Sequence, residues 1–264
     1  MVAFKCDQIR AKGLRHLQRK ILPLMLAGCF CHGAVMANPL DPQVVNGNAT
    51  FSNQGNIFSI TNSPGSIINW KSFSVAPGEI TRFIQANSSS SVLNRITGQD
   101  PTKILGALQS NGRVFLINPN GILFGQGAQV DVNGLIASTL NISNQDFLAG
   151  RLHFKAGDKT EGIRNQGAIS TPSGGQVYLI APNVENSGII TSPKGDVVLA
   201  AGHSVQLVDS ANPDVHVVIS APDNTALNLG QVVAASGRVG IYGALINQRG
   251  IVNANSAVIG ENGK

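Results

Sequence analysis

Short apolar runs alternate with clusters of glycine and asparagine along most of this chain. Ile67-Ile68-Asn69-Trp70, Val114-Phe115-Leu116-Ile117, Val177-Tyr178-Leu179-Ile180 and Val197-Val198-Leu199 are rich in β-branched and aromatic side chains. Runs of this kind between turn signals read as strands. Their succession predicts a continuous sheet buried on one side. Helical periodicity is nearly absent, and only Pro101 to Leu108 (PTKILGAL) reads as one or two helical turns.

The second half repeats. Asn165-Gln166-Gly167-Ala168-Ile169 recurs as Asn186-Ser187-Gly188-Ile189-Ile190, Asn228-Leu229-Gly230-Gln231-Val232 and Asn247-Gln248-Arg249-Gly250-Ile251. Gly167, Gly188, Gly230 and Gly250 are spaced by 21, 42 and 20 residues, so the unit is about 21 residues with one degenerate copy around 203–222. Gly175-Gln176-Val177, Gly195-Asp196-Val197 and Gly237-Arg238-Val239 keep the same beat, at spacings of 20 and 42. Each unit holds two or three short strands and no helix. That is one coil of a parallel β-helix, with coils stacked about 4.8 Å apart, Val, Ile, Leu and Ala inward, and Asn and Gly at the corners. The fold class expected is all-β, a right-handed single-stranded parallel β-helix with an N-terminal cap. A leucine-rich repeat shares the period but needs a leucine ladder that is missing, and a two-sheet sandwich does not predict so regular a beat.

Composition sharpens this reading at one end only. The formal net charge is +5, which at first suggests a polyanion partner. Six basic residues and one acid precede residue 38, however, and the remaining 13 basic and 13 acidic residues cancel. A nucleic-acid partner is therefore not expected. All three cysteines also lie before residue 38, which removes disulfides and thiolate metal sites from everything after it.

The basic stretch 1–20, the apolar run Ile21 to Phe30 and the small residue Ala37 form a secretory signal, with cleavage between Ala37 and Asn38. The apolar run is too short to span a bilayer, which takes about 20 residues. Leu26-Ala27-Gly28-Cys29 offers a competing pattern in which Cys29 is lipidated and tethers the protein to a membrane. Either route takes the rest of the chain out of the cytoplasm. The expected organisation is a signal at 1–37, a capped start of the helix at 38–160, and further coils at 161–264.

Ordered blocks between Asn38 and Leu152 carry a resemblance. They are Ile68-Asn69-Trp70-Lys71-Ser72-Phe73, then Val92-Leu93-Asn94-Arg95-Ile96-Thr97-Gly98, and then Gly112 to Ile117 running into Asn118-Pro119-Asn120-Gly121. Leu123-Phe124-Gly125 and Asp131 to Thr139 follow. The chain resembles the N-terminal secretion domain of filamentous-haemagglutinin-type exoproteins, which leave Gram-negative bacteria by two-partner secretion. The resemblance implies a secretion-targeting domain of a surface protein of adhesin type. It also implies a partner, an outer-membrane β-barrel transporter whose periplasmic domains engage the still extended chain, and a host-cell or surface ligand for the exported protein. No cofactor is implied. Some members carry an upstream Asn-Pro-Asn-Leu that this chain lacks, which leaves the upstream determinant unassigned. The pattern stops in mid-repeat at Lys264, as expected of a short member or a truncated piece.

Each candidate site has a bland reading beside the functional one. Asn118-Pro119-Asn120-Gly121 has the chemistry of a tight turn, with Pro presetting φ and Gly closing it. The resemblance adds transporter recognition, and the two roles are compatible. Trp70 lies in an apolar strand, where core packing is the default and an aromatic ligand platform the alternative. His153, His203 and His216 have no metal-ligand spacing, so no metal is expected. Gly202-His203-Ser204-Val205-Gln206 lacks the second glycine of a nucleophile elbow, and Gly125-Gln126-Gly127-Ala128-Gln129-Val130 reads as a glycine corner. Parallel β-helices also host polysaccharide-degrading enzymes, which need acids and bases converging on one face. Asp196, Asp209, Asp214 and Asp223 are scattered, and no acid recurs at a multiple of the period beside an Arg or Lys. Secretion targeting leads; a lipid-anchored binding module and an enzyme follow.

Overall fold

The structure, a computed structural model, describes residues 38–208, 216–217 and 224–255. Cys29, Ala37, Asp209, Asp214, Asp223 and the end of the chain from 256 lie outside the described residues. All described residues belong to one compact unit, 36–264.

Three columns of parallel strands wind into a β-helix. The first face stacks Ile57–Asn62, Ile80–Ile84, residues 107–110, residues 129–132, Ala168–Ser170, Ile189–Thr191, Gln231–Val233 and Ile251–Asn253. The second stacks Ser66–Trp70, Ser91–Ile96, residues 113–117, residues 134–138, Gln176–Ala181, Asp196–Ala201 and Arg238–Tyr242. Thr102–Ile104, Ile122–Phe124, Ile163–Asn165, Val184–Asn186, Thr225–Asn228 and Leu245–Gln248 form the third. A complete coil thus carries three strands, one on each face. At the N-terminal end Gln43–Asn46 pairs antiparallel with Ser66–Trp70, and Ala49–Gln54 pairs antiparallel with Ile57–Asn62. Trp70 is buried beneath this cap. Its indole N–H donates to Asn94 Oδ1 at 3.0 Å, and Phe51, Phe58 and Phe73 meet its ring edge-on. It is a core residue.

Glycine recurs at two corners because the coils touch there backbone to backbone. A Cβ at Gly188 would collide with the carbonyl oxygen of Gly167, one at Gly230 with that of Gly188, and one at Gly250 with that of Gly230. Gly175, Gly195 and Gly237 form a second spine in the same way. Left-handed φ is not the reason at either corner; lack of space is. Beside the first spine runs an amide ladder. Asn165 Nδ2 donates to Asn186 Oδ1 at 2.7 Å, Asn186 Nδ2 to Asn228 Oδ1 at 2.8 Å, and Asn228 Nδ2 to Gln248 Oε1 at 2.9 Å. The three asparagines are fully buried, and each amide meets the hydrogen-bonding demand of its neighbours inside the core.

Three sequence expectations are corrected. Residues 101–108 are not helical: Thr102–Ile104 and the start of Ala107–Ile117 are strands, with Thr102 and Ile104 inward and Lys103 out. The described helix is instead Asn144–Leu148, capped by the Ser143 side chain. The 42-residue spacing hides no degenerate coil either. Ile189–Thr191 pairs directly with Gln231–Val233, and Asp196–Ala201 with Arg238–Tyr242, so no coil lies between them; Ser204–Val208 and His216–Val217, from the stretch between, leave the helix. Together with an earlier excursion they build an antiparallel sheet of Asn141–Ile142, Leu152–Lys155, Ser204–Val208 and His216–Val217.

The third correction concerns burial. The second face is covered on both sides. Val114, Leu116, Leu135, Val177 and Leu179 point into the helix. Phe115, Ile117, Ile136, Tyr178 and Ile180 point out, into a second core closed by Phe147, Phe154, Val205 and Leu207 of the excursions. Strands buried on both faces lose the polar–apolar alternation, which is why these runs are uninterrupted. Arg95 fastens the excursion: its guanidinium donates to Asn141 Oδ1, Asn144 Oδ1 and the carbonyl of Ile142 at 3.1, 2.9 and 2.7 Å. Burial pulls its pKa below the ordinary arginine value.

Candidate functional site

Asn118-Pro119-Asn120-Gly121 joins the second face to the third. Residues 113–117 end on Ile117, and the chain turns so that Ile122–Phe124 can pair with Thr102–Ile104. Gly121 adopts a φ of +103°, which disfavours any side chain. Its N–H donates to the Asn118 carbonyl at 3.2 Å.

Asn118 is fully buried. Its Nδ2 donates to the Asp100 carbonyl at 3.0 Å and to Thr102 Oγ1 at 2.9 Å, which ties the turn to the coil before it. Its Oδ1 accepts from the backbone N–H of Asn120 at 3.0 Å and from Asn120 Nδ2 at 3.1 Å. Asn120 Nδ2 also reaches the Gly98 carbonyl at 2.8 Å, and the Pro119 carbonyl accepts from the Glu161 N–H at 2.9 Å. In the folded state both amide ends of Asn118 are therefore engaged inside the protein, while Pro119 and Asn120 are half-exposed. Asn38, the residue after the expected cleavage point, is half-buried at the start of the cap.

The remaining candidates do not converge. His153 Nδ1 lies 3.9 Å from Asp146 Oδ1 in the excursion, and His203 Nδ1 pairs with Asn224 Nδ2 at 3.1 Å. Ser204 opens a strand of the excursion sheet rather than a strand-to-helix elbow. Gly125 and Gly127 lie in the corner between Ile122–Phe124 and the strand that begins at Gln129. No group of three metal-ligating side chains occurs among the described residues. Sequence reasoning missed the ion pairs that bridge coils: Arg164 Nε meets Glu185 Oε2 at 3.0 Å, 21 residues on, and Arg238 Nε meets Asp196 Oδ1 at 2.7 Å, 42 residues back. The period itself was the signal that would have found them.

Asp146, in the first turn of the helix, accepts from the Ser143 hydroxyl at 2.7 Å and from Arg151 Nε at 2.7 Å. Those two hydrogen bonds hold its carboxyl below the ordinary value, with the charges of Arg151 and His153 adding to them.

The sequence profile of the TPS secretion domain matches residues 36–264. The chain belongs to the TPS secretion domain family. Among solved structures, the HMW1 secretion domain from Haemophilus influenzae is 38% identical and superposes with a TM-score of 0.80, over 84% of this chain and 60% of that one. The filamentous hemagglutinin secretion domain superposes with a TM-score of 0.50 at 14% identity, over 83% of this chain and all of the other, which speaks for the fold alone. A heme/hemopexin-binding protein of Haemophilus influenzae is 39% identical over 115 residues, 42% of this chain and 13% of the relative. A second protein of that name and species is 33% identical over 100 residues, 38% of this chain and 11% of the relative. The matched segment is thus a small part of those curated relatives. A TPS secretion domain serves the export of its protein across the outer membrane to the cell surface or beyond, and it implies an outer-membrane transporter as partner.

Proposed function

We propose that the transporter reads this TPS domain before it folds, through its periplasmic domains, and that Asn118-Pro119-Asn120-Gly121 belongs to the sequence being read. The supporting observation is the burial of Asn118. An asparagine whose carbonyl and amide are both engaged inside the folded corner offers its side chain to a partner only while the chain is extended. Recognition and folding then compete for the same atoms, so folding outside the cell releases the partner. On this reading the determinant lies in residues 38–160, where the family-like blocks lie, and the part from 161 onward serves to extend the helix. The exported protein is of adhesin type and takes a host-cell or surface ligand.

The test is direct binding. The purified periplasmic domains of the transporter are immobilised and exposed to the chain kept unfolded in urea, diluted into the flow immediately before injection, and then to the refolded chain. The unfolded chain is expected to bind and the refolded one to lose at least about 10-fold, a difference of about 1.4 kcal/mol. Equal binding by the folded domain would overturn the reading.

A further inference from the structure

A groove of about 440 Å³ runs along the outside of the second face. Its floor is the outward row Phe115, Ile136 and Tyr178, and its far wall is Phe147, Leu148 and Leu152 of the excursion. The near wall is polar and periodic. Arg113, Gln176, Asp196 and Arg238 occupy one strand position, coil after coil, with Gly134 between the first two. That glycine leaves the space over which the Arg113 stem lies: a Cβ there would sit 2.9 Å from Arg113 Cγ.

Arg113 is the group to explain. Its Nη2 donates to the Ser89 carbonyl at 2.9 Å, which fixes the plane of the guanidinium. Among the described residues its Nε is buried yet finds no acceptor, and no carboxylate pairs with it. A buried, unspent guanidinium N–H carries a desolvation penalty unless a partner arrives. The partner that uses Nε together with a terminal nitrogen is a planar anion bound two-pronged. Among the described residues of the near wall, Asp196 pairs with Arg238, and Arg113 adds a positive charge that no described carboxylate pairs.

We propose that this groove binds a carboxylated saccharide chain, with one carboxylate on Arg113. An elongated site fits a polymer. The apolar floor and wall suit the faces of sugar rings, and the mixed donors and acceptors of the near wall suit their hydroxyl edges. An extended peptide fits less well, because the strands that line the floor are paired on both sides within the sheet and offer no free edge for main-chain pairing. The site belongs to the folded, exported domain and is independent of transporter recognition.

The experiment is calorimetric titration of the purified full chain with tetragalacturonate, its fully methyl-esterified form and tetraglutamate. Tetragalacturonate is expected to bind, and esterification to weaken it about 10- to 100-fold, the value of a charge-assisted hydrogen bond. Arg113→Gln should cause the same loss for the acid and none for the ester. Leu148 is half-exposed on the rim, so Leu148→Glu tests the site without threatening the fold; it should weaken the acid selectively by about 10-fold. Failure of the folded wild-type chain to bind tetragalacturonate overturns the proposal. So does equal affinity for the ester, or insensitivity to both substitutions. Equal or tighter binding of tetraglutamate would make the groove a peptide site and overturn it as well.

Discussion

Truncating Asn118 to alanine removes four side-chain hydrogen bonds from the corner. Their losses are unequal. The Asp100 carbonyl belongs to an exposed residue and Asn120 is half-exposed, so water can replace the lost partner at both. Thr102 is fully buried, so its hydroxyl forfeits its partner with no replacement, at about 1–3 kcal/mol. The small void where the amide stood adds to that, and the sum is about 2–4 kcal/mol. Asn120→Ala loses bonds at a wetter position and should cost about 1 kcal/mol or less. Gly121→Val forces a β-branched residue to a φ of +103° and should cost about 1–3 kcal/mol. Urea unfolding of the secreted chain measures all three. An Asn118→Ala loss below about 0.5 kcal/mol, the range of ordinary surface changes, would refute the argument from burial. Export is then compared with a destabilised control, Asn186→Ala, which breaks the amide ladder far from the turn along the chain, each yield being set against the stability loss measured for that variant. A larger loss of supernatant yield per unit of lost stability for Asn118→Ala than for the control is the outcome expected if the transporter reads this asparagine; equal losses on that scale would assign the residue to folding alone.

Gly188→Ala should destabilise the domain by about 1–3 kcal/mol, the usual result of overpacking, because the added methyl meets the Gly167 carbonyl; Gly174→Ala, with open space but a φ of +83°, should cost less, and thermal unfolding ranks the two. Asp146→Asn should loosen the Asn144–Leu148 turn at neutral pH. The folded pKa of Asp146 lies below its ordinary value of 3.8, so the carboxylate's contribution is complete above that value and fades as pH falls through the folded pKa. Hydrogen exchange of residues 144–155 should therefore differ between variant and wild type at pH 6 and converge in strong acid, and a difference that persists there would contradict the assignment.

The stacked coils were legible because two glycine spines each impose one residue type at one place per turn, and only close backbone approach makes that demand so strictly. The excursions were not. An insertion that leaves the helix and returns to the same corner doubles the spacing of the marker, as between Gly188 and Gly230, and a doubled spacing looks like a worn repeat. Double-sided burial was visible in the unbroken run Val114 to Ile117 but was read as a strand with one dry face, because the segment that covers it lies 30 to 90 residues further on. Asn118 shows a different limit. The residues that make a tight turn are the same whether its side chain faces water or the core, and the two differ only in what the previous coil offers, here Thr102. Arg95 carried a signal that went unused: a guanidinium inside Val92-Leu93-Asn94-Arg95-Ile96 needs acceptors, and only long-range partners could supply three.

A plain stack of coils frays from its ends, because each coil touches only its neighbours. The excursion sheet changes that rule for the second face. Arg95 sits in the second coil but is held by Asn141, Ile142 and Asn144, more than 45 residues later, and the outward side of Ile67 in the first coil shares a core with Val205 and Leu207. Peeling the N-terminal coils away therefore means breaking the strap that crosses them as well as the seam beneath. For a thread emerging through a narrow opening the strap acts as a pawl: before it closes, early coils can slip back one at a time, and afterwards a backward tug meets several coils at once.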